Sequence, residues 1–151
     1  MDLIYKTVSF QELSNLDLYQ VLKLRSAVFV LEQNCAYLDI DDMDQQAFHL
    51  LVYNSTSELV AYARILTPEQ CENKYCSIGR VVVKKTQRKH QFGRHLMQYA
   101  IKQSLTLFPE VPLLISAQTY LSSFYHSLGF VNTGHFYLED DIPHQEMEYQ
   151  P

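Results

Sequence analysis

The segment that most constrains the fold lies in the middle of the chain. Ser77-Ile78-Gly79-Arg80-Val81-Val82-Val83 is a β-rich run, and Lys84 to Gln91 is a polar, basic connection. From Phe92-Gly93-Arg94 onward a helix pattern begins, with Leu96, Met97, Ala100, Ile101 and Leu105 on one face. Strand, basic loop and helix in this order set a helix N-terminus beside the end of a strand. The first amides of a helix lack intrahelical partners and carry a partial positive charge, so such an end holds phosphate or pyrophosphate. Gly93 lets the backbone approach a bulky anion, and Arg88, Lys89 and Arg94 add charge. Basic loops before helices are common, so the pattern alone points to an anion and no further.

The flanking sequence surrounds this unit with a mixed layer. Leu3 to Val8 reads as a short first strand. Ser14 or Asn15 caps a helix whose stripe runs through Leu18, Val21 and Leu22 and continues through Leu24, Ala27, Val28 and Leu31. That is long enough for two helices breaking near Leu24 or at Asn34, and the acidic loop YLDIDDMDQQ follows. Phe48 to Tyr53 and Leu59 to Leu66, joined by Asn54-Ser55-Thr56-Ser57, read as an antiparallel hairpin. Thr67 to Lys74 is a loop, and Phe108-Pro109-Glu110-Val111-Pro112 ends the central helix. Leu113 to Ala117 is a short buried strand. Thr119 caps a helix in which Leu121, Phe124, Tyr125 and Leu128 face inward, with Gly129 just past its end. Phe130 to Tyr137 and Glu146 to Tyr149 are the last strands, separated by Glu139-Asp140-Asp141-Ile142-Pro143. This order implies an α/β or α+β layer, not an alternating doubly wound fold.

Composition narrows the class. The 151 residues suit one domain spanning 1–151, and 47% hydrophobic against 19% charged residues excludes disorder as the main state. The net charge of −5 opposes nucleic-acid binding, which wants a basic footprint, and suits a cationic small substrate. Cys35, Cys71 and Cys76 are odd in number and lack CxxC spacing, against a disulfide framework or zinc site and consistent with reduced thiols in a cytoplasm. The N-terminus lacks the basic and apolar regions of a signal peptide, and no stretch reaches the ~18 apolar residues of a membrane helix. The six histidines are scattered, and His90 and His95 have no carboxylate at metal spacing, so no metal is expected.

Arg88-Lys89-His90-Gln91-Phe92-Gly93 resembles motif A of the GNAT superfamily of N-acetyltransferases, Gln/Arg-x-x-Gly-x-Gly/Ala after a strand, with Gln91 in place of the middle glycine. Gln118-x-x-Leu121-x-x-Phe124-Tyr125-x-x-x-Gly129-Phe130 is similar to that family's Asn-x-x-Ala-x-x-Phe-Tyr-x-x-x-Gly-Phe, with Gln118 for Asn and Leu121 for Ala. Arg25-x-x-Val28-Phe29-Val30-x-Glu32-Gln33-Asn34-Cys35, Asp39-Ile40-Asp41, Ala61-Tyr62-Ala63-Arg64-Ile65-Leu66, Ile78-Gly79-Arg80-Val81 and Ile142-Pro143-His144 narrow the resemblance to the ElaA-type branch. It implies a twisted, mixed, mostly antiparallel sheet flanked by helices and splayed between its fourth and fifth strands. It also implies acetyl-CoA as co-substrate and transfer of the acetyl group to a primary amine of a small molecule or peptide, by direct attack in a ternary complex.

The resemblance also implies roles for residues. Backbone groups of Val81 and Val83 would pair with the pantetheine arm, while Arg88, Lys89, Gln91, Phe92, Gly93 and Arg94 would wrap the pyrophosphate and Gln118 would line the cofactor side. The Val81 N–H would stabilise a tetrahedral oxyanion, worth ~3–4 kcal/mol for a well-placed donor. Tyr125 stands where the family often has a general acid; its other reading is a core aromatic on an amphipathic helix. The base is open. The family's usual strand-four glutamate is absent, since Gly79 and Arg80 occupy that region. Glu32, His49, Asp41 and His144 are candidates, and a water chain is a rival. Glu32 otherwise caps or pairs with Arg25, His49 is otherwise a core histidine, and His144 otherwise orients a loop. Arg64 and Arg80, inside adjacent central strands, must be paired: with Glu32, Asp39 or Asp41, or with a substrate carboxylate. Arg64, Arg80, Asp41 and His144 therefore form the candidate substrate side. The pattern allows a homodimer. Two rivals stand beside the enzyme reading: a catalytically weak acyl-CoA-binding sensor, and a nucleic-acid-associated regulator that the acidic balance opposes.

Overall fold

The computed structural model describes residues 2–151. Seven strands form one sheet: β1 (Ile4–Ser9), β2 (Phe48–Tyr53), β3 (Leu59–Leu66), β4 (Cys76–Val83), β5 (Leu113–Gln118), β6 (Phe130–Glu139) and β7 (Ile142–Tyr149). Their order is β1-β2-β3-β4-β5-β7-β6. Every neighbouring pair is antiparallel except β4 and β5, which run parallel and pair only at Cys76↔Leu113 and Ser77↔Leu114. Past Ser77 the two strands no longer pair, and the sheet is split there.

Helix α1 (Asn15–Arg25) starts at a capping box. Ser14 Oγ accepts from the Asp17 amide at 3.0 Å, and the Asp17 carboxylate accepts from the Ser14 amide at 3.2 Å. In place of a break, the helix widens into a π-helical stretch, Ser26–Glu32. The Gln33 and Cys35 amides donate to the carbonyls of Val28 and Val30, five residues back, each at 3.1 Å. Val21, Leu24 and Val28 pack against Leu51, Leu59, Tyr62 and Val82 on one face of the sheet. Helix α2 (Phe92–Leu107) buries Phe92, Leu96, Met97, Ala100 and Ile101 on the other face, against Leu50, Val52, Ile65, Ile78, Ile115 and Met147. Leu105 falls past the edge of that buried stripe and is exposed; Ser104 completes it, donating its hydroxyl to the Ala100 carbonyl at 2.8 Å.

Two boundaries differ from expectation. Helix α3 (Ser122–Ser127) follows a 3-10 turn, Thr119–Leu121, and Thr119 does not cap it. Gly129 ends it at φ +105°, and a Cβ there would lie 3.0 Å from the Tyr149 ring, so this position requires glycine. The last hairpin is tighter than its five-residue polar word suggests. Asp140 and Asp141, both at positive φ, make a two-residue turn, and Ile142 and Pro143 already belong to β7. Pro143 is tolerated because the pairing of β7 with β5 reaches only to His144↔Gln118, so its missing N–H faces no β5 partner.

Candidate active site

The split exposes one edge of β4. The Lys84 amide donates to the Val60 carbonyl at 2.8 Å, so Lys84 faces β3 and, by alternation, so does Val82. The N–H and C=O of Val83 and the carbonyl of Val81 therefore point away from β3, into the split. Between Gly79↔Arg64 and Val82↔Tyr62 the strand carries one extra residue, a bulge at Arg80–Val81, and Arg80 has φ +51°. A left-handed conformation costs a non-glycine residue about 1–2 kcal/mol.

A cleft of about 590 Å³ occupies the split. Ile78 to Val81 form one wall; Ser116, Gln118 and Tyr125 form the other. Cys35, Tyr37 and Asp41, and across from them Glu139, Asp140 and His144, close its ends. Tyr125 packs edge-on against Phe124 and Phe130. Burial pushes its phenol up to about 12, and no side chain among the described residues bonds to it. His144 donates Nδ1–H to the Ile142 carbonyl at 2.7 Å, because a carbonyl can only accept. A neutral His144 ring is thereby left with its lone pair on Nε2, 3.3 Å from Glu139 Oε2.

One wall of the cleft is backed by a charge cluster of three arginines and three aspartates. Arg25, fully buried, reaches Asp39 through Nε and Asp44 through Nη1, each at 2.7 Å. Arg64 grips Asp41 with two bonds of 2.8 Å and reaches Asp44 at 2.9 Å. Arg80 donates to the Asp39 carbonyl at 3.0 Å and to Asp41 at 3.2 Å, and its Nε lies 2.7 Å from Asp39 Oδ1 without hydrogen-bond alignment. Burial alone would raise the Asp41 carboxyl; the hydrogen bonds and charge of Arg64 outweigh it and hold it at about 2. Arg64 and Arg80 thus line the cleft with their guanidinium groups committed to aspartates. That geometry favours the structural pairing over a clamp for a substrate carboxylate, and the Asp41 oxygens are equally occupied.

The phosphate-loop end is built differently. Gln91, in the place of the motif glycine, takes φ +58° after His90 at +55°, so the backbone keeps a glycine-like path despite its side chains. The Phe92 amide donates to Lys89 O at 3.1 Å, and the first i→i−4 bond of α2 runs from His95 to Gln91 O at 3.1 Å. The amides of Gly93 and Arg94 lie between them without helical partners. A Cβ on Gly93 would meet nothing within 4 Å, leaving open space over the helix end. Lys89 is exposed, while the Phe92 side chain is buried in the core and takes no part in the loop surface. Arg94 donates to Ser127 Oγ at 2.9 Å and lies over the Phe124 ring. Arg88 donates Nε–H to the Val83 carbonyl at 3.0 Å and forks onto Glu32, with Nη2 at 2.9 Å from Oε1.

The structure therefore gathers Val81, Gln118, Tyr125, Arg64, Arg80, Asp41 and His144 around one cleft. It does not bring Glu32 or His49 there. Glu32 is held by Arg88, not by Arg25. His49 is buried, donating to the Asp44 carbonyl at 2.9 Å and accepting from the Tyr62 hydroxyl at 2.7 Å, so both ring nitrogens are taken. Burial holds its pKa below the ordinary value, and it stays neutral. The sequence reading missed Asp44 and the pairing of Arg25 with it. The available signal was a charged residue inside the apolar stripe Val21, Leu24, Val28. It also missed Glu139 as the neighbour of His144. Among the described residues no helix is long and apolar enough to cross a membrane, and no three His, Cys, Asp or Glu residues gather as metal donors.

The signature of the GNAT acetyltransferase domain matches residues 21–151. The chain belongs to the GNAT family. Its GNAT relatives include the protein ElaA of Escherichia coli, 40% identical over 93% of this chain and 92% of that protein. A UPF0039 protein of Schizosaccharomyces pombe is 40% identical over 99% of this chain and 97% of its own length. The crystal structure of ElaA superposes with a TM-score of 0.90 over 99% of this chain and all of that one, at 38% identity. That of an acyl-CoA N-acyltransferase from Pseudomonas aeruginosa gives 0.92 over 97% and 99%, at 36% identity. The GNAT fold and its split sheet are thus as the resemblance implied. The residues fit an acyl-CoA donor of the kind GNAT enzymes use. Two free amides and open space at Gly93 suit its phosphates, and the unpaired edge of β4 suits its pantetheine arm.

Proposed function

We propose that this GNAT domain transfers an acetyl group from acetyl-CoA to a primary amine of a small molecule or peptide, in a ternary complex. Its setting is the cytoplasm, where its three free cysteines stay reduced. The observation that carries the reading is the cleft itself: a strand edge with no neighbouring strand past Ser77, faced by a phenol and an imidazole. When bound, acetyl-CoA supplies an activated thioester whose C–S bond opens as the amine nitrogen bonds to the acetyl carbon. Backbone groups of Val81 and Val83 hold the donor along β4, and the Val81 N–H stabilises charge developing on oxygen. His144 Nε2 takes the proton that the amine sheds, with the Glu139 carboxylate 3.3 Å away. Tyr125, kept protonated by burial, gives its proton to the departing sulfur and recovers one from solvent. Arg64, Arg80 and Asp41 shape the acceptor wall and leave its recognition to the Glu139–His144 side.

Tyr125→Phe tests the chemistry. It keeps the ring and loses one hydroxyl, so acetyl-CoA binding and melting temperature hold while the single-turnover rate falls by roughly 10²–10⁴-fold. A rate within about threefold of the parent would assign the proton to water instead. A thiol-release assay across an amine panel separates the enzyme from the second reading, an acyl-CoA sensor, which the committed Arg88 and the absent motif glycine favour. A sensor binds CoA and releases no thiol.

A further inference from the structure

We infer that Arg80 is a positioning residue that holds the split open: its side chain, anchored on Asp39 and Asp41, offsets the strain of the left-handed backbone that bulges β4 away from β5. The inference rests on the acyl-CoA reading of the cleft. Among the described residues eleven non-glycine positions have positive φ, and Arg80 alone lies inside a strand; the others occupy turns and loops. Asn and Asp reach this conformation with help from a local side-chain hydrogen bond, but arginine gains nothing of the kind. Something distant must therefore hold it. The anchor is the segment after the π-helical stretch: the Asp39 carbonyl at 3.0 Å, Asp39 Oδ1 at 2.7 Å and Asp41 Oδ2 at 3.2 Å. Tyr37 adds a face under the guanidinium, 5.9 Å from its centroid, and donates its own hydroxyl to Asp39 at 2.9 Å. Asp39 and Asp41 are in turn fixed by Arg25 and Arg64.

The position of the bulge gives it its consequence. The last β4–β5 pair is Ser77↔Leu114, and the extra residue enters three positions later, where β4 must turn aside for a ligand to enter. A bulge bends its strand and increases local twist. Without it β4 would keep a straight register with β3 and narrow the space beside Val81. The buried charge cluster thus has a use beyond internal pairing: it transmits the fixed placement of 37–44 to the backbone of β4.

Two substitutions separate imposed conformation from direct contact. Arg80→Gly and Arg80→Ala remove the same charge and the same anchor, so their cost to folding is shared. Glycine adopts positive φ freely, whereas alanine pulls the strand back toward extended geometry. The dissociation constant for CoA, measured by calorimetry, stays within about threefold of the parent in Arg80→Gly and weakens about tenfold (~1.4 kcal/mol) in Arg80→Ala. Backbone chemical shifts of residue 80 in the free protein report left-handed geometry for glycine and extended geometry for alanine. Arg80→Lys keeps a charge and folds if alanine does not; its single ammonium cannot reproduce the fork, so it binds CoA more weakly than Arg80→Gly. Equal CoA affinity in the glycine and alanine proteins overturns the inference: if both match the parent the bulge needs no enforcement, and if both fall the guanidinium acts directly. Failure of the parent to bind CoA would sink the acyl-CoA reading by itself. The chemical shifts would still decide whether the side chain offsets the strain of the bulge.

Discussion

Along the cleft wall formed by Arg64 and Arg80 the charges are buried and mutually committed; at the start of α2 they are half-exposed, and Arg88 has one carboxylate partner. Arg25 and Arg64 are both under 5% exposed and meet Asp39, Asp41 and Asp44 through several bonds each. Arg88 meets one carboxylate, Glu32, with side chains 39% and 28% exposed. Buried charges cannot fall back on water, so losing one partner strands the other; exposed charges are resolvated at little cost. The wall formed by Arg64 and Arg80 is therefore rigid by electrostatic necessity. Under the proposed acyl-CoA reading, the loop end is expected to trade Glu32 for an incoming phosphate. Arg88 also sits on the Val83 carbonyl, one of the groups that a pantetheine arm would use, so donor binding is expected to displace it.

The largest expected effect that would break this contrast is Arg25→Ala. It leaves Arg64 as the one cationic partner of Asp44 and Arg80 as that of Asp39, and removing one partner of a buried pair costs roughly 3–5 kcal/mol. Urea unfolding measures it; a loss under about 1 kcal/mol, the range of an exposed pair, would mean the cluster is solvated after all.

Acid unfolding comes next. His49 has its folded pKa held below the unfolded value, so the unfolded chain takes the proton first and stability falls as pH drops below ~6.5. Asp41, at about 2 in the fold, contributes stability that is fully present above its unfolded pKa, and Asp44 is depressed likewise. That contribution is lost as pH falls from ~4 through about 2. Urea midpoints taken from pH 7 to pH 2 are expected to fall in two stages, and a flat profile between pH 6.5 and 4.5 would contradict a buried neutral His49.

The smallest effect sharpens the other side. Glu32→Gln frees Arg88, so the melting temperature of the ligand-free protein hardly moves. Affinity for CoA rises by less than about fivefold, in keeping with the small worth of an exposed pair. A fall in affinity, read by calorimetry, would show that Glu32 supports the loop in place of competing for its arginine.

What the sequence made legible follows from how local each cause is. Alternation and turn chemistry marked β2, β3, β4 and β5, because each strand's burial is written in its own residues. The helix over Ser122–Ser127 was less legible, since its 3-10 entry is set by packing and by no capping side chain. The turn at Asp140–Asp141 was hidden by Pro143, whose tolerance depends on where β5 ends. At the site, the basic loop and the start of α2 beside the end of β4 could be read from motif and pattern. For Arg64 and Arg80, Asp39 and Asp41 stood among the partners the sequence offered and are the ones they take; Asp44, shared by Arg25 and Arg64, could not be read because it joins them only through tertiary folding. His49 looked available as a ring in an apolar run; its two partners, Tyr62 and the Asp44 carbonyl, come from elsewhere in the chain.

The central claim is that the split between β4 and β5 holds acyl-CoA by the start of α2. Thermal melting with and without ligand tests it most directly, comparing acetyl-CoA and free CoA on the parent protein and on Gly93→Asp. Gly93 has open space around it, so the aspartate leaves the ligand-free fold intact while setting a carboxylate against the phosphates. Both ligands are expected to raise the melting temperature of the parent, by the equivalent of ~2.7 kcal/mol at a hundred times the dissociation constant. Most of that rise should vanish in Gly93→Asp. No shift of the parent at millimolar acetyl-CoA, or an undiminished shift in Gly93→Asp, would contradict the account.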